Sequence, residues 1–217
     1  MLCSNTMSEW KPAIEANRKS FSFEKHQVIF QEGQPVEGMY FVTSGIVKVH
    51  KKWGQDKELI IRFASPGDIV GHRGLGGDFE YPVSATALTE ASVCFIDMSF
   101  FQSSLRVHPN FQYSLLMFFA SELKESERNM RDLAHMSVQG RVANALLKLE
   151  KQFGVDEEGF FKFTPSRQDI ASYAGTTYET LFRTLTVFQN DNVIATRGKS
   201  LKIMNPTVLS LYSVHAD

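Results

Sequence analysis

The residues best suited to chemistry lie in one stretch, Ser166 to Leu185. Ser166 carries the side-chain oxygen an N-cap needs, Asp169 follows three positions on, and Ile170, Tyr173 and Ala174 share an apolar face. Gly175 can take the left-handed turn that closes such a helix, and Thr176 or Thr177 can cap a second one. That second helix is expected to bury Leu181, Leu185 and Phe188, leaving Thr177, Tyr178, Glu179 and Arg183 outside near its N-terminal half. A helix entering a major groove by its N-terminal end reads bases from such positions. Arg donates two hydrogen bonds to guanine, and Glu accepts one from cytosine N4.

Asn192 to Met204 follows as two β-prone runs around Gly198, the pattern of a wing. Between Lys162 and Met204 the basic residues Lys162, Arg167, Arg183, Arg197, Lys199 and Lys202 face the acidic Asp169, Glu179 and Asp191, an excess of three positive charges. Such an excess suits phosphates. A plain helical hairpin, or a winged helix used only for protein contacts, is the blander alternative. The conjunction of cap, glycine turn, polar outer face and basic wing favours duplex DNA.

These elements need a scaffold. A chain of 217 residues, 43% hydrophobic and 22% charged, can bury a core in each of two modest domains, which excludes global disorder. Its 23 basic and 24 acidic residues announce no polyanionic partner at the level of the whole chain, so DNA binding rests on local pattern. Cys3 and Cys94 are too few for a disulfide framework and suit a reducing cytoplasm. Met1 to Glu9 lacks the basic start and apolar core of a secretory signal. The apolar stretch Phe111 to Ala120 is too short to span a bilayer.

Short β-type runs occupy Gln27 to Phe30, Met39 to Thr43, Ile46 to His50, Leu59 to Phe63, Ser84 to Ala87 and Ser92 to Ile96, with glycines between them. Regular short strands with glycine turns predict a sandwich or closed barrel. From Pro109 to Ser137 the period changes, and Leu116, Phe119, Leu123, Ser126, Met130 and Leu133 step by three and four. Glu122, Lys124, Glu125, Arg128 and Arg131 take outer positions, as in a two-stranded coiled coil, so the seam reads as a homodimer interface; packing on the chain's own barrel is the plainer alternative. A second amphipathic helix then presents Val142, Leu146, Leu149 and Phe153 before Gly154, with a hinge near His135 to Ser137. If an effector acts, that hinge is where the angle between barrel and DNA-binding domain would change.

From about Phe21 to Met204 the chain resembles the Crp/Fnr family of bacterial transcription regulators. The resemblance is carried by Gly33, Gly45, Gly67 and Gly71, by the run Val138 to Ala143, and above all by Arg167, Gln168, Asp169 and Ile170 with Glu179, Thr180 and Arg183. It implies an α+β chain: an N-terminal jelly-roll (double-stranded β-helix) sensor barrel over residues 1–108, a long dimerisation helix and hinge over 109–137, and a C-terminal winged helix-turn-helix over 138–217. Glu179 and Arg183 would then read bases, and Ser166, Arg167, Thr177 and Lys199 would hold phosphates. With the cap, helix and wing positions, the DNA-facing set becomes Ser166, Arg167, Thr176, Thr177, Tyr178, Glu179, Arg183, Arg197 and Lys199. Tyr178 stands where many relatives carry Arg, so the operator need not match theirs. RNA polymerase is a further partner the resemblance suggests.

Relatives that bind cyclic nucleotides use Gly-Glu for the ribose and Arg-Ser for the cyclic phosphate, where this chain has Gly71-His72 and Val83-Ser84. Losing that Arg removes a charge-assisted contact of about 1.5–3 kcal/mol, which argues against cyclic AMP in the usual mode. His72 and Arg73 can donate to another small anion; alternatively they are solvated loop residues, and the cavity is filled by Leu75 and Phe79. Ser126 and Glu127 sit where relatives touch ligand from the long helix, or are an ordinary seam serine and a solvated glutamate. Cys3 alone cannot supply an iron–sulfur cluster, the six histidines show no spacing for haem, and no His-x-His pair supports a cupin-like enzyme or a metal site. No cofactor is expected. A signalling module acting through protein contacts remains the alternative in function.

Overall fold

The computed structural model describes residues 11–54 and 57–214. The readings placed on Met1 to Glu9, on Cys3 and on His215 lie outside them. Two four-stranded antiparallel sheets form the N-terminal half, in the orders β1-β8-β3-β6 and β2-β7-β4-β5. The strands are β1 Arg18–Phe23, β2 Val28–Phe30, β3 Gly38–Ser44, β4 Val47–Trp53, β5 Lys57–Ala64, β6 Ile69–Val70, β7 Ser84–Ala87 and β8 Ala91–Asp97. Six of them fall on the six expected runs. β1 and β6 were not anticipated, for physical reasons: β1 is a sheet-edge strand exposed along nearly all its length, and β6 is only two residues long, so neither leaves an alternating pattern.

Met39, Val47, Val49, Ala85, Ala87, Val93 and Ile96 all belong to the one buried core built around the two sheets. Helix α1, Lys11–Asn17, adds Ile14 to the same core. Asp97 caps α2, Met98–Val107, by accepting from Phe100 N at 2.9 Å. Helix α3, Pro109–His135, then begins on the barrel, with Phe111 and Leu115 buried in its core and Phe118 and Phe119 packed against it. The expected α+β jelly roll is therefore present, and the first turns of the long helix complete its core.

The chain divides into two compact units between Lys124 and Glu125, inside α3, whereas the sequence reading set residues 109–137 apart. The later part of α3 belongs to the second unit. Lys148 Nζ donates to Glu125 and, at 2.8 Å, to Asn129 Oδ1, and Asn144 Nδ2 donates to Asp132 Oδ2 at 3.1 Å. The turn at Met136 and Ser137, expected as an interdomain hinge, thus lies inside that unit. Helix α4, Val138–Phe153, is capped by Ser137 and buries Val142, Leu146 and Leu149, with Phe153 edge-on to Phe163.

Helices α5, Arg167–Tyr173, and α6, Tyr178–Asn190, come next in the chain, then the β9 Ile194–Arg197 and β10 Ser200–Ile203 hairpin. The last helix, α7, Pro206–Val214, was not anticipated. It packs on α4 at Gly140, where an added Cβ would stand 2.7 Å from the Tyr212 carbonyl oxygen. Among the described residues no helix is long and apolar enough to cross a membrane.

Candidate nucleic-acid interface

The helix-turn-helix is built as its residue types require. Ser166 Oγ accepts from Asp169 N at 3.0 Å and donates to the Asp169 carboxylate at 2.5 Å, a reciprocal cap that fixes the start of α5. Gly175 has φ +62, the left-handed turn that ends α5, and Thr177 Oγ1 then accepts from Thr180 N at 3.2 Å to open α6. Leu181, Leu185 and Phe188 are buried beneath α6, and Thr184 joins them, its hydroxyl donating to Thr180 O at 2.9 Å. Opposite that face Tyr178, Glu179 and Arg183 are exposed, as expected. The side chains of Tyr178, Glu179 and Arg183 make no hydrogen bond or ion pair among the described residues, so their donors and acceptors are free for an incoming partner.

Other members of the set carry structural work. Ser166 gives its one hydroxyl proton to Asp169 while capping α5, so that hydroxyl has none left for a phosphate; Thr177 Oγ1 caps α6 and lies 3.0 Å from Thr180 Oγ1, and it keeps a proton for a phosphate when Thr180 is the donor of that pair. Thr176 is half-buried, and its N–H donates to Ala171 O at 2.9 Å. Arg167 is half-buried at the start of α5, and burial pushes its guanidinium below its usual value. Lys199 stands exposed beside Gly198 at the tip of the hairpin.

Arg197 is placed differently from expectation. Its guanidinium pairs with Glu158 and, at 3.8 Å, with Asp156, and lies 4.2 Å over the Phe160 ring. Lys202 Nζ is also drawn to this loop, donating to Glu158 O at 2.8 Å. The local excess of three positive charges was counted from Lys162; Asp156, Glu157 and Glu158 lie just upstream and cancel it. Of the hairpin's three cations, Lys199 is the one left outside this network.

Arg141 entered the sequence reading only as part of a family-like run, yet it shapes the interface most directly. Its guanidinium donates to Ala174 O at 3.1 Å, Gly175 O at 3.2 Å and Met136 O at 3.0 Å. It therefore ties the turn between α5 and α6 to the turn that precedes α4. The sequence signal was a cation among the small and apolar residues that begin α4.

Along α3, Leu116, Leu123, Met130 and Leu133 are 64%, 61%, 64% and 42% exposed, and Ser126 is exposed among them. Large apolar side chains with as much surface exposed on one helix face as Leu116, Leu123 and Met130 are left uncovered by the described residues, whereas Leu133 lies against Gly175. Phe119 departs from the expected seam: it is partly buried against the barrel core and edge-on to His72.

The barrel residues proposed for an effector separate as well. His72 is buried, with 2% of its surface exposed, which removes the solvated-loop alternative for it, and Phe79 is 49% exposed and so cannot fill the cavity; Leu75 packs partly buried. Gly71 has φ +89, and an added Cβ would meet the Tyr81 ring at 3.2 Å. Val83 is buried in the core, and Ser84 Oγ accepts from Glu32 N at 3.0 Å. Ser126 and Glu127 are both exposed.

Sequence reasoning missed Arg62 and placed Glu122 among the outer positions of the seam, whereas its carboxylate turns into the barrel. Glu122 Oε2 lies 2.8 Å from Arg73 Nη2, 3.6 Å from His72 Nε2 and 3.9 Å from Arg62 Nε. Burial acts to raise the Glu122 carboxyl, but the contact with His72 and the charges of Arg62 and Arg73 outweigh it and hold it down to about 2. Burial, with the neighbouring arginines, pushes the His72 ring below its usual value against the pull of Glu122. The signal for this cluster was a lone Arg in the apolar run of β5 and a Glu beside the seam.

A family model described as a cyclic nucleotide-binding domain matches residues 20–108, and one described as a Crp-like helix-turn-helix domain matches residues 140–212. The chain is 31% identical over 184 residues to the anaerobic regulatory protein of Haemophilus influenzae, covering 83% of this chain and 70% of that one. It is 28% identical over 193 residues to the CRP-like cAMP-activated global transcriptional regulator of Mycobacterium tuberculosis, covering 88% and 86%. The solved structure of FixK2 from Bradyrhizobium japonicum is similar with a TM-score of 0.82 at 26% identity, covering 92% of this chain and 99% of that one.

Proposed function

This chain belongs to the Crp/Fnr family of DNA-binding transcription regulators, and we propose that it acts as a homodimer that reads a near-palindromic operator through α6. The observation that carries the reading is the division of α6 into two faces, Leu181, Leu185 and Phe188 buried on one and Tyr178, Glu179 and Arg183 exposed and unpaired on the other. Arg183 suits guanine and Glu179 suits cytosine N4, while Arg167, Thr177 and Lys199 would hold phosphates. Arg197 contributes by exchanging Glu158 for phosphate, since an exposed ion pair is worth only about 0–1 kcal/mol.

The second copy is proposed to cover the apolar row of α3. An open groove of about 550 Å3, lined in part by Leu105, Tyr113, Leu115, Leu116 and Phe119, runs into that row at Leu116 and extends the surface such a copy would bury. For the barrel, the buried Val83 and the hydrogen-bonded Ser84 support a mode other than the usual one for cyclic AMP.

Selection of bound duplexes from a random pool tests the whole reading. The expected product is a two-fold symmetric motif with half-site centres about 10 base pairs apart. Recovery of no enriched duplex, with or without cyclic nucleotides, would count against DNA binding and in favour of a module that works through protein contacts.

A further inference from the structure

Arg62 on β5, His72 and Arg73 after β6, and Glu122 on α3 meet inside the N-terminal unit. All three barrel side chains converge on a single oxygen, Glu122 Oε2. Arg62 Nε, Arg73 Nε and both ring nitrogens of His72 are buried with no hydrogen-bond partner among the described residues; Arg62 Nε and His72 Nε2 reach only the longer ion-pair contacts with Glu122. Buried donors left unpaired are costly, and two guanidinium groups with the single N–H of a neutral imidazole gathered around one carboxylate oxygen mark an anion cradle. The cradle sits against α3 with the rings of Phe118 and Phe119 edge-on to His72 at 4.8 and 5.5 Å. Arg62 is 5.8 Å from the Phe118 ring centre, and its guanidinium also donates to Ile69 O. The other charge facing Arg62 is Asp68, which is engaged with Ser65 N at 2.8 Å.

We propose that Arg62, His72 and Arg73 form an anion cradle for a small carboxylate and that the chain fills it in cis with Glu122, so that the barrel holds α3 with no added effector. A separate ligand would have to expel a carboxylate already tethered by its own helix, where the effective concentration is high. The inference rests on the proposed regulator function only for its consequence on DNA; the cradle itself belongs to the N-terminal unit. On this account the wild-type protein binds its operator without nucleotide. Removing the Glu122 carboxylate converts the cradle into a site for free carboxylate.

The test uses the full chain, with acetate as the probe and chloride at matched ionic strength as the control. Glu122→Gln keeps the side-chain volume and is expected to lower the barrel's melting midpoint by at least about 3 °C, with operator affinity falling about tenfold. Glu122→Ala leaves room for the probe, and acetate is expected to recover at least half of its lost midpoint and leave wild type unmoved. Glu122→Gln melting like wild type overturns the proposal. Acetate raising wild type and Glu122→Ala equally overturns it too, as does a wild-type protein that binds operator only after nucleotide is added. Should wild type retard no duplex at all, the regulator reading fails, while the melting comparison, which involves no DNA, still decides the cradle.

Discussion

At the scale of single residues, the proposed interface would separate side chains that choose a sequence from those that hold a duplex. Arg183 is exposed, unpaired and opposite the buried face of α6, the geometry for two bonds to guanine. Arg183→Ala should cost about 1–3 kcal/mol on the selected operator and little on a scrambled duplex. Lys199→Ala should weaken both alike and lower the slope of log affinity against log salt by about one. Fluorescence anisotropy across a salt series distinguishes the two, and equal behaviour of the variants would remove Arg183 from the reading role. The barrel makes a second residue-scale prediction. The Glu122 carboxyl lies at about 2 against an ordinary 4.5, so its stabilisation is complete above about pH 4.5 and is lost as pH falls toward 2. That gap corresponds to about 3 kcal/mol as an upper figure. His72 acts in the same direction: its value is lowered on folding, so the unfolded chain takes up its proton first as pH falls below about 6.5. Glu58 is likewise held to about 2, burial being outweighed by His50 and Lys48. Glu122→Gln should therefore flatten only part of the acid limb in a pH series of denaturation midpoints, and an unchanged limb would remove Glu122 from the account.

At the scale of elements, legibility followed burial. The helix-turn-helix was readable because its caps, its glycine turn and its alternating faces are local signals, and Ser166, Gly175 and Thr177 do what their types suggest. The acidic partners of Arg197 were not legible because a hairpin cation has no local mark of them; Asp156 and Glu158 reach it from some forty positions away in sequence. Phe119 was assigned to the outer seam because heptad spacing cannot tell which of two neighbouring faces a barrel will cover. Arg62 went unnoticed and Glu122 was set on the outer seam for the same reason, their meeting being purely tertiary. The turn between α5 and α6 is the most demanding local element. Gly175 has positive φ, and an added Cβ would overlap a Leu133 methyl carbon. Gly175→Ala should thus cost about 1–2 kcal/mol from the left-handed backbone alone. Arg141→Ala should loosen the same turn by freeing the Ala174 and Gly175 carbonyls. Hydrogen exchange is the suitable measurement: amides of α5 and the start of α6 should exchange faster in both variants while barrel amides stay unchanged. Equal protection in Arg141→Ala would show that the guanidinium is dispensable.

At the scale of the whole molecule, the exposed row of α3 needs an occupant. Leu116, Leu123 and Met130 each leave well over half of their surface in water, and they recur at seven-residue spacing on one helix that has its other face in a core. Burying such a row against its copy gains roughly 25 cal/mol per Å2 of apolar surface, whereas leaving it solvated gains nothing. On the proposed reading pairing would also decide affinity for DNA. One α6 would offer few base contacts, and in the proposed homodimer two of them would bind a symmetric site with the second contact made at high effective concentration. Replacing Leu116 and Leu123 together by Glu puts like charges across the row and removes its apolar gain. The expected result is a monomer in sedimentation, with the melting midpoint of the helix-turn-helix little changed. Operator affinity should fall at least about a hundredfold and the salt slope by about half, as one protomer's phosphate contacts are lost. A variant that still sediments as a dimer would move the interface elsewhere on the chain, and one that becomes monomeric with operator affinity intact would separate pairing from DNA recognition altogether.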